Sequence, residues 1–199
     1  MNDQRVALIM RAGNELGGEL AAGLADAKFH VALNDLLPDR LEQLTEAIKA
    51  RGGSASVHTA DPTRKLALQT MLQEILELRG RVDALIFIAN SQPTDKVLDM
   101  DEWDWHRSLD QNLTAAFLCT QSVGRVMREI GGGVILYVLA REGKASSSYE
   151  AAAAALRGLA QAAAPELAVH NIKVRTLEVG EISPAEMVKL CTEVITTHQ

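Results

Sequence analysis

The segment RVALIMRAGNELGGELAAGLADAKFHVALND, residues 5–35, decides the fold because it joins two short apolar runs through a longer amphipathic one. The apolar runs at 5–10 and 30–35 have the length of buried strands, and 15–27 has the spacing of a helix. Such a unit connects neighbouring parallel strands by a right-handed crossover. The segment therefore predicts a parallel α/β sheet with a strand-to-helix turn at 11–19.

The same alternation continues along the rest of the chain. Further strands are predicted at 54–60, 81–89, 134–140 and 172–179, and further helices at 39–53, 64–80, 99–133 (one helix or two), 149–168 and 184–198. Six strands alternating with helices predict a Rossmann-like doubly wound parallel sheet, covered by helices on both faces as a three-layer sandwich. We find no repeat or linker, so residues 1–199 are expected to form one domain.

Composition excludes several classes of protein. The chain has 199 residues, of which 47% are hydrophobic and 23% charged, as in an ordinary globular domain. Its net charge of -6, with no basic stripe, argues against a nucleic-acid partner. No apolar run approaches the ~20 residues that cross a bilayer, and the first residues lack the features of a signal peptide. We therefore expect a cytoplasmic protein that does not bind membranes.

Metal-ligating residues form no recognisable pattern in the sequence. The five histidines are scattered, and the two cysteines, Cys119 and Cys191, lie far apart in apolar contexts. We expect reduced, buried thiols and no metal site.

The turn RAGNELGGE, residues 11–19, lies where a sheet of this kind usually holds a pyrophosphate. Its glycines do not form a Gly-x-Gly-x-x-Gly fingerprint, so the turn alone is a weak indicator. Asp35, at the end of the second strand, is placed to hold a ribose hydroxyl and would repel the 2′-phosphate of NADP. The alternative, which we weigh equally, is that Asp35 caps the following turn and helix.

The order of these parts resembles the short-chain dehydrogenase/reductase family over residues 5–183. Four residues match site positions of that family: the ribose-binding acid is Asp35, the adenine-contacting Asp is Asp61 in TADPT, the active-site Asn is Asn112 in LDQNLTAAFLCTQ, and the Tyr of the Tyr-x-x-x-Lys helix is Tyr149. The resemblance implies a dinucleotide fold and carbonyl or alcohol oxidoreduction with a nicotinamide cofactor.

The glycine turn departs from the family's Thr-Gly-x-x-x-Gly-x-Gly. Here it reads MRAGNELG, so only Gly17 is kept, and Arg11 and Glu15 replace the first two glycines. Glu15 adds negative charge where phosphates would bind, at a helix N-terminus. Arg11 either binds a phosphate through its guanidinium group or pairs with Glu15 and fills the site, and we favour the second. We expect no bound cofactor or weak NAD, with NADP disfavoured by Asp35.

The family's Asn-Asn-Ala-Gly after the fourth strand also differs. It reads FIAN here, which keeps Ala89 and places Asn90 at the glycine position. We expect both residues, with Arg11, Gly17 and the two acids named above, to line what remains of the cofactor site.

Two catalytic positions of the family are lost. The serine falls on Ala140, or on Leu139 if the alignment slips by one, and the lysine falls on Ala153. A free phenol has a pKa near 10, and the family's lysine cation lowers it, which alanine cannot do. Tyr149 and Asn112 then remain as two members of a four-residue arrangement. Arg157, one helical turn beyond, and Lys144, in the preceding loop, are the alternatives that could replace the lysine.

These departures predict a pseudoenzyme that lacks or nearly lacks dehydrogenase activity and acts as a dimeric structural or regulatory subunit. The alternatives are an NAD(P)-dependent oxidoreductase with altered catalytic residues, acting on a carbonyl or alcohol, and a small-molecule-binding module. In the resembled family two helices pair across a twofold axis. Helices near 105–130 and 149–168 are therefore expected to form a homodimer, or a heterodimer with an active paralogue. The family's substrate-covering C-terminal region is expected to be shortened, so the sequence names no substrate.

Overall fold

The computed structural model describes residues 4–141, 143 and 146–179, together with 183, 185, 186, 188, 189, 192 and 193. The strands are β1 (Val6–Met10), β2 (His30–Asn34), β3 (Ser54–His58), β4 (Ala84–Ala89), β5 (Gly133–Leu139) and β6 (Ile172–Glu178). The helices are α1 (Glu15–Asp26), α2 (Pro38–Ala50), α3 (Lys65–Arg79), α4 (Glu102–Leu109), α5 (Ala115–Glu129) and α6 (Ser147–Ala168). A π-helical segment, Asp110–Thr114, joins α4 to α5.

All six strands are parallel, in the order β3-β2-β1-β4-β5-β6. This order results when the chain winds outward from β1 in one direction and then, from β4, in the other. Every residue of β1, β2, β4 and β5 is buried, which explains their nearly continuous apolar sequences. The predicted doubly wound sheet is confirmed.

Two apolar clusters cover the two faces of the sheet. On one face α1 and α2 pack through leucines such as Leu20, Leu24 and Leu41. On the other face α3, α5 and α6 contribute Met71, Val123 and Leu156, among others. The three layers bring the carboxyl ends of β1 and β4 together at the point where the winding reverses, and ligands bind at this edge in such folds.

Two predicted boundaries shift. The strand predicted at 81–89 begins only at Ala84. Just before it, the Asp83 carboxylate accepts the Val6 amide and forms an ion pair with Arg81. The region 99–133 forms two helices separated by the π-helical segment. Cys119 is buried and free, whereas Cys191 lies outside the described residues, as does part of the helix predicted at 184–198.

Within the described part of the chain, no helix is long and apolar enough to cross a bilayer.

Candidate functional site

The turn between β1 and α1 combines one strained residue with two closely packed glycines. Arg11 has a φ of 63°, in the left-handed region that favours glycine. A Cβ on Gly17 would lie 2.5 Å from the Ala12 carbonyl oxygen, and a Cβ on Gly13 would lie 2.8 Å from the Asp35 carboxylate. The turn therefore keeps a backbone shaped for glycines, while its first position carries a long cationic side chain.

The Arg11 side chain crosses from this turn to the π-helical segment. Its Nη1 lies 3.3 Å from the Gln111 carbonyl oxygen, and its Nη2 lies 3.5 Å from Gln111 Oε1. Burial lowers the pKa of the guanidinium from its usual value, and neighbouring Asp35 opposes that effect. The expected pairing with Glu15 is wrong within the described residues, because Glu15 is exposed at the start of α1 while Arg11 extends to Gln111.

Asp35 is held by the turns on both sides of it. Its Oδ2 accepts the Gly13 amide at 2.9 Å, and its Oδ1 accepts the Leu36 amide at 2.7 Å. The N-cap of α2 is Leu37, with no side-chain capping bond. Asp35 therefore orders the turn but does not cap the helix. Its half-buried carboxylate lies at the edge where a ribose would bind.

Asp61 occupies the corresponding place after β3. Its Oδ1 accepts both the amide and the hydroxyl of Thr63, at 2.9 and 2.7 Å, and its Oδ2 lies 3.9 Å from Arg64. These bonds form a local turn that fixes the carboxylate at the carboxyl edge of the sheet.

The two acids, the glycine turn and the end of β4 enclose a cavity of about 200 Å³, which we call the turn cavity. It is lined by Arg11, Gly13, Asn34, Asp35, Asp61 and Asn90, among others. Two buried side-chain oxygens on this lining, Asn34 Oδ1 and Asn90 Oδ1, have no hydrogen-bond partner. Buried polar atoms are rarely left unpaired in native proteins, and both oxygens are fully buried behind the cavity surface.

Asn112 is fully buried in the π-helical segment, and its amide is fully used. Its Oδ1 accepts the Ser91 amide at 3.0 Å, and its Nδ2 donates to the carbonyl oxygens of Ser91 and Ser108 at 2.7 and 2.9 Å. Asn112 therefore ties the segment that follows β4 to the α4 end of the helix pair. This predicted catalytic residue has a structural role in the geometry described.

Tyr149 lies in the first turn of α6, whose N-cap is Ser146. Its side chain is only 2% exposed, and its hydroxyl donates to the Ala89 carbonyl oxygen at 3.2 Å. Burial raises the pKa of Tyr149 to about 12, and Glu150 adds to the effect. The phenol is thus a weaker acid than free tyrosine, which is opposite to what a proton donor with a cationic neighbour requires.

A second cavity of about 190 Å³, the tyrosine cavity, opens beside this phenol at the ends of β5 and β6. The lysine position, Ala153, lines it and offers only a methyl group. Arg157 Nε pairs with Glu178 Oε1 at 2.7 Å, and Arg141 lies 3.6 Å from the Glu150 carboxylate. The cation proposed to replace the lysine is therefore already paired with a carboxylate.

Ala140 and, after β6, Val179 lie at the same edge of the sheet. Ala140 is buried at the end of β5, and its carbonyl oxygen accepts a bond from Gln92 Nε2 at 3.0 Å. Val179 continues β6 through a bond from its amide to the Leu139 carbonyl oxygen. Lys144 lies outside the described residues.

Sequence reasoning missed a buried polar chain between β2, β3 and α3. Arg79 Nη2 donates to Ser54 Oγ at 3.2 Å, and Ser54 Oγ lies 2.8 Å from His30 Nδ1. On the other side of this ring, His30 Nε2 lies 3.0 Å from Ser56 Oγ, which lies 2.8 Å from His58 Nε2. His58 Nδ1 lies 3.7 Å from Glu74 Oε2. Arg79 donates at one end of this chain, the donor and acceptor roles of the two imidazoles depend on their tautomers, and His58 Nδ1 makes no hydrogen bond among the described residues. Burial lowers the pKa of His30 to about 4 and also lowers that of His58.

The polar chain follows from pairing between strands. His30 is in register with Ser54, and Asn34 with His58, across β2 and β3, so the signal was a polar residue at every second position of β3, opposite a strand with polar residues at both ends. In the part of the chain that the structure describes, no three His, Cys, Asp or Glu side chains are grouped as ligands for a metal ion.

Comparison with known proteins identifies the family. The sequence model described as short chain dehydrogenase matches residues 5–194. The chain belongs to the short-chain dehydrogenase family. Among curated family members, it is 30% identical over 190 residues to sorbitol-6-phosphate 2-dehydrogenase of Escherichia coli strain K12. The aligned region covers 92% of this chain and 73% of that protein.

Solved structures of the family have the same fold. A 7α-hydroxysteroid dehydrogenase complexed with NADH and 7-oxo glycochenodeoxycholic acid is 28% identical, with a TM-score of 0.78 over 87% of this chain and 69% of that one. A metagenomic short-chain oxidoreductase in complex with NADP, 23% identical, aligns with a TM-score of 0.86 over 96% of this chain and 90% of that one. The expected family and fold are thus confirmed.

Proposed function

We propose that this protein keeps the nucleotide-binding edge of its family but lacks, or nearly lacks, dehydrogenase activity, and that it acts as a dimeric structural or regulatory subunit. The observation that carries this proposal is Tyr149, whose hydroxyl donates into the fold at Ala89 and whose pKa is raised to about 12. A phenol held in this way is a poor proton donor to a bound carbonyl.

The groups that would support Tyr149 are also missing. Positioned proton transfer is worth about 10²- to 10⁴-fold in rate, and in the resembled family the lysine that tunes the phenol stands at Ala153. Ala140 cannot supply the hydroxyl that polarises the carbonyl. Arg157 is held by Glu178 at 2.7 Å and cannot readily exchange protons. The site therefore offers no replacement relay among the described residues.

The dinucleotide that the family implies does not fit the described turn. The amides of Ala12, Gly13 and Gly17 are bonded to acceptors of this chain, at 2.8, 2.9 and 2.7 Å. The Arg11 side chain reaches Gln111 across the space next to the turn. Backbone amides at such a turn normally bind the pyrophosphate. Here a pyrophosphate would have to displace the acceptors bonded to these amides and also the bonds between Arg11 and Gln111.

A second candidate is an NAD(P)-dependent oxidoreductase that acts on a carbonyl or alcohol with altered catalytic residues. The comparisons favour this candidate over the first, because the matched relatives are dehydrogenases and two solved neighbours hold NADH or NADP. The retained Tyr149, Asn112 and Asp35 also support it.

An activity assay separates the two candidates. The purified protein is incubated with NADH or NADPH and a panel of aldehydes, ketones and keto acids, and the loss of absorbance at 340 nm is followed. The first candidate predicts a rate equal to that of a Tyr149→Phe variant. Reduction of any carbonyl that depends on the Tyr149 hydroxyl would support the second candidate and overturn the first.

The proposed dimer uses the outer faces of α5 and α6. Ala154, Gly158 and Ala162 are exposed at four-residue spacing along α6, and a Cβ on Gly158 would meet open space. Such a face permits close approach of a second helix. Sedimentation should give a dimer at micromolar concentration for the wild type and a monomer for Gly158→Glu; a monomeric wild type would contradict the proposal. Cytoplasmic localisation stays a prediction.

A further inference from the structure

The polar chain joins the edge strand β3 to both β2 and α3. β3 is the outermost strand on its side of the sheet, and its strand partner is β2. At the start of β3, Arg79 of α3 donates to Ser54. At its end, Glu74 of α3 lies 3.7 Å from His58. The edge strand therefore meets α3 through polar and charged groups at both of its ends.

Two imidazoles in the polar chain share a single hydroxyl group. His30 Nε2 lies 3.0 Å and His58 Nε2 lies 2.8 Å from Ser56 Oγ. A hydroxyl group donates one proton and accepts through two lone pairs, and a neutral imidazole donates from one nitrogen and accepts at the other. When both rings are neutral, one ring can therefore donate to Ser56 while the other accepts the hydroxyl proton. The neutral chain satisfies both contacts.

Positive charge on both rings would break this arrangement. A charged imidazole carries an N–H group on each nitrogen and accepts from no donor, so the Ser56 hydroxyl proton would lose its acceptor in the chain. Two cations would then face one oxygen atom, with the Arg79 guanidinium as a third cation bonded to Ser54. The carboxylate that faces this end of the chain, Glu74, is 59% exposed and therefore well screened by solvent. The hydrogen bonds thus favour neutral rings.

Burial and the surrounding charges act in the same direction as the hydrogen bonds. Burial lowers the pKa of His30 to about 4, with smaller contributions from three titratable neighbours: Arg79 of α3, His58 of β3 and Lys49 of α2. Burial also lowers the pKa of His58, and Glu74 of α3 opposes that effect. Both rings are therefore neutral in the folded protein at pH 7, and protons are taken up more readily once the rings are exposed to water.

A groove between β3 and α3 lies against the outer end of the polar chain. Its volume is about 620 Å³, and its lining includes His58, Thr59, Arg64 and Glu74. The turn that connects β3 to α3 contains Asp61, whose carboxylate bonds the next turn residues. A change in the contact between β3 and α3 would therefore also reach the Asp61 turn.

We infer that the polar chain is a pH-sensitive clamp, which holds β3 and α3 against β2 at neutral pH and releases them when its imidazoles take up protons. An exposed histidine has a pKa near 6.5, whereas that of folded His30 is about 4. Between these values the released state binds more protons than the closed state, so the stability of the clamp is complete above pH ~6.5 and is lost as the pH falls towards 4. The clamp is independent of the proposed function, since His30 and His58 line neither the turn cavity nor the tyrosine cavity.

Hydrogen–deuterium exchange of the full chain at pH 7.5 and at pH 5.0 tests the inference, with each rate corrected for the intrinsic pH dependence of amide exchange. Protection of the β3 and α3 amides should fall by about 30-fold at pH 5.0, which is the factor given by a His30 pKa of about 4 in the closed state and ~6.5 in the released state. Protection of β5, on the other side of the sheet, should change by less than about threefold. Unchanged protection of β3 and α3, or an equal loss in β5, would overturn the inference.

His30→Gln provides the variant, and His106→Gln the matched control. Glutamine can bond a serine hydroxyl but takes up no proton, so in His30→Gln the loss of protection at pH 5.0 should shrink from about 30-fold to less than about threefold. His106 is exposed on α4, 3.5 Å from Glu102, and its replacement should leave the loss at about 30-fold. An undiminished loss in His30→Gln, or a diminished one in His106→Gln, would overturn the role of the polar chain. The wild-type comparison of β3 and α3 with β5 decides the inference even where His30→Gln does not fold.

Discussion

The two ends of the cleft differ in how their polar groups are paired. At the turn cavity, Asn34 and Asn90 each leave a buried oxygen without a partner. At the tyrosine end, the Tyr149 hydroxyl, the Asn112 amide and the Arg157 guanidinium all have partners within the protein, and one buried oxygen, Gln92 Oε1, has none. An unpaired buried acceptor costs about 1–3 kcal/mol, whereas a fully paired group carries no such cost. The pairing of the Tyr149 hydroxyl within the protein is what the proposed loss of proton transfer rests on.

The largest expected effect comes from rebuilding both ends of the cleft together. The triple variant Arg11→Gly, Ala140→Ser, Ala153→Lys restores the glycine, the hydroxyl and the cation that the family places there. NADH-dependent carbonyl reduction should rise by about 10²- to 10⁴-fold over the wild type, measured at 340 nm. Adding Tyr149→Phe should abolish the gain. If the wild type is already as active as the triple variant, the claim that its tyrosine end lacks a working proton relay is wrong.

Gly17→Ala tests how tightly the turn end is built. The added Cβ would lie 2.5 Å from the Ala12 carbonyl oxygen, so unfolding free energy in urea should fall by about 2–3 kcal/mol. Gly124→Ala is the matched helical control, because its Cβ would meet no atom within 4 Å, and it should raise stability by ~0.5–1 kcal/mol. Equal effects would show that the turn is looser than described.

The two fully buried asparagines give a direct pairing test. Asn112→Ala removes bonds to both groups of Ser91 and to Ser108, and should cost about 3 kcal/mol. Asn34→Ala removes only two bonds, to the carbonyl oxygens of His58 and Ala60, and also removes an unpaired oxygen. It should cost about 1–2 kcal/mol. A larger loss for Asn34→Ala, by urea denaturation, would reverse the comparison.

Arg157→Ala should have the smallest effect. The Arg157–Glu178 pair is about two-fifths exposed on both sides, so its loss should change stability by less than about 1 kcal/mol. Any residual carbonyl reduction should also be unchanged, as in the control Arg141→Ala from the same cavity. A selective loss of reduction in Arg157→Ala would instead make Arg157 the replacement for the missing lysine.

The three-layer sheet architecture could be predicted from the sequence, because the spacing of apolar residues shows which face of each helix or strand is buried. Buried parallel strands such as β4 are apolar at every position, and α1 carries its leucines on one face, so element type and sheet class follow. The left-handed conformation of Arg11 was not predicted, although Arg11 occupies a glycine position of the family.

The partners of the site residues could not be predicted from the same pattern. Arg11 bonds Gln111, one hundred positions away, whereas the expected partner, Glu15, is only four positions away in sequence but is exposed. The π-helical segment that buries Asn112 has no apolar period of its own, and the chain of His30 and His58 depends on the register between β2 and β3. Such contacts depend on the tertiary structure.

Alkaline titration of Tyr149 in a Tyr137→Phe background tests the central claim most directly, since the chain has two tyrosines. Between pH 10 and about 12 the folded state keeps the Tyr149 proton and the unfolded state loses it, so stability should fall as pH rises through this range. Phenolate absorbance at 295 nm should appear with a midpoint near the raised pKa of about 12. A midpoint below that of free tyrosine, near 10, would reveal a phenol tuned for proton transfer and would contradict the account.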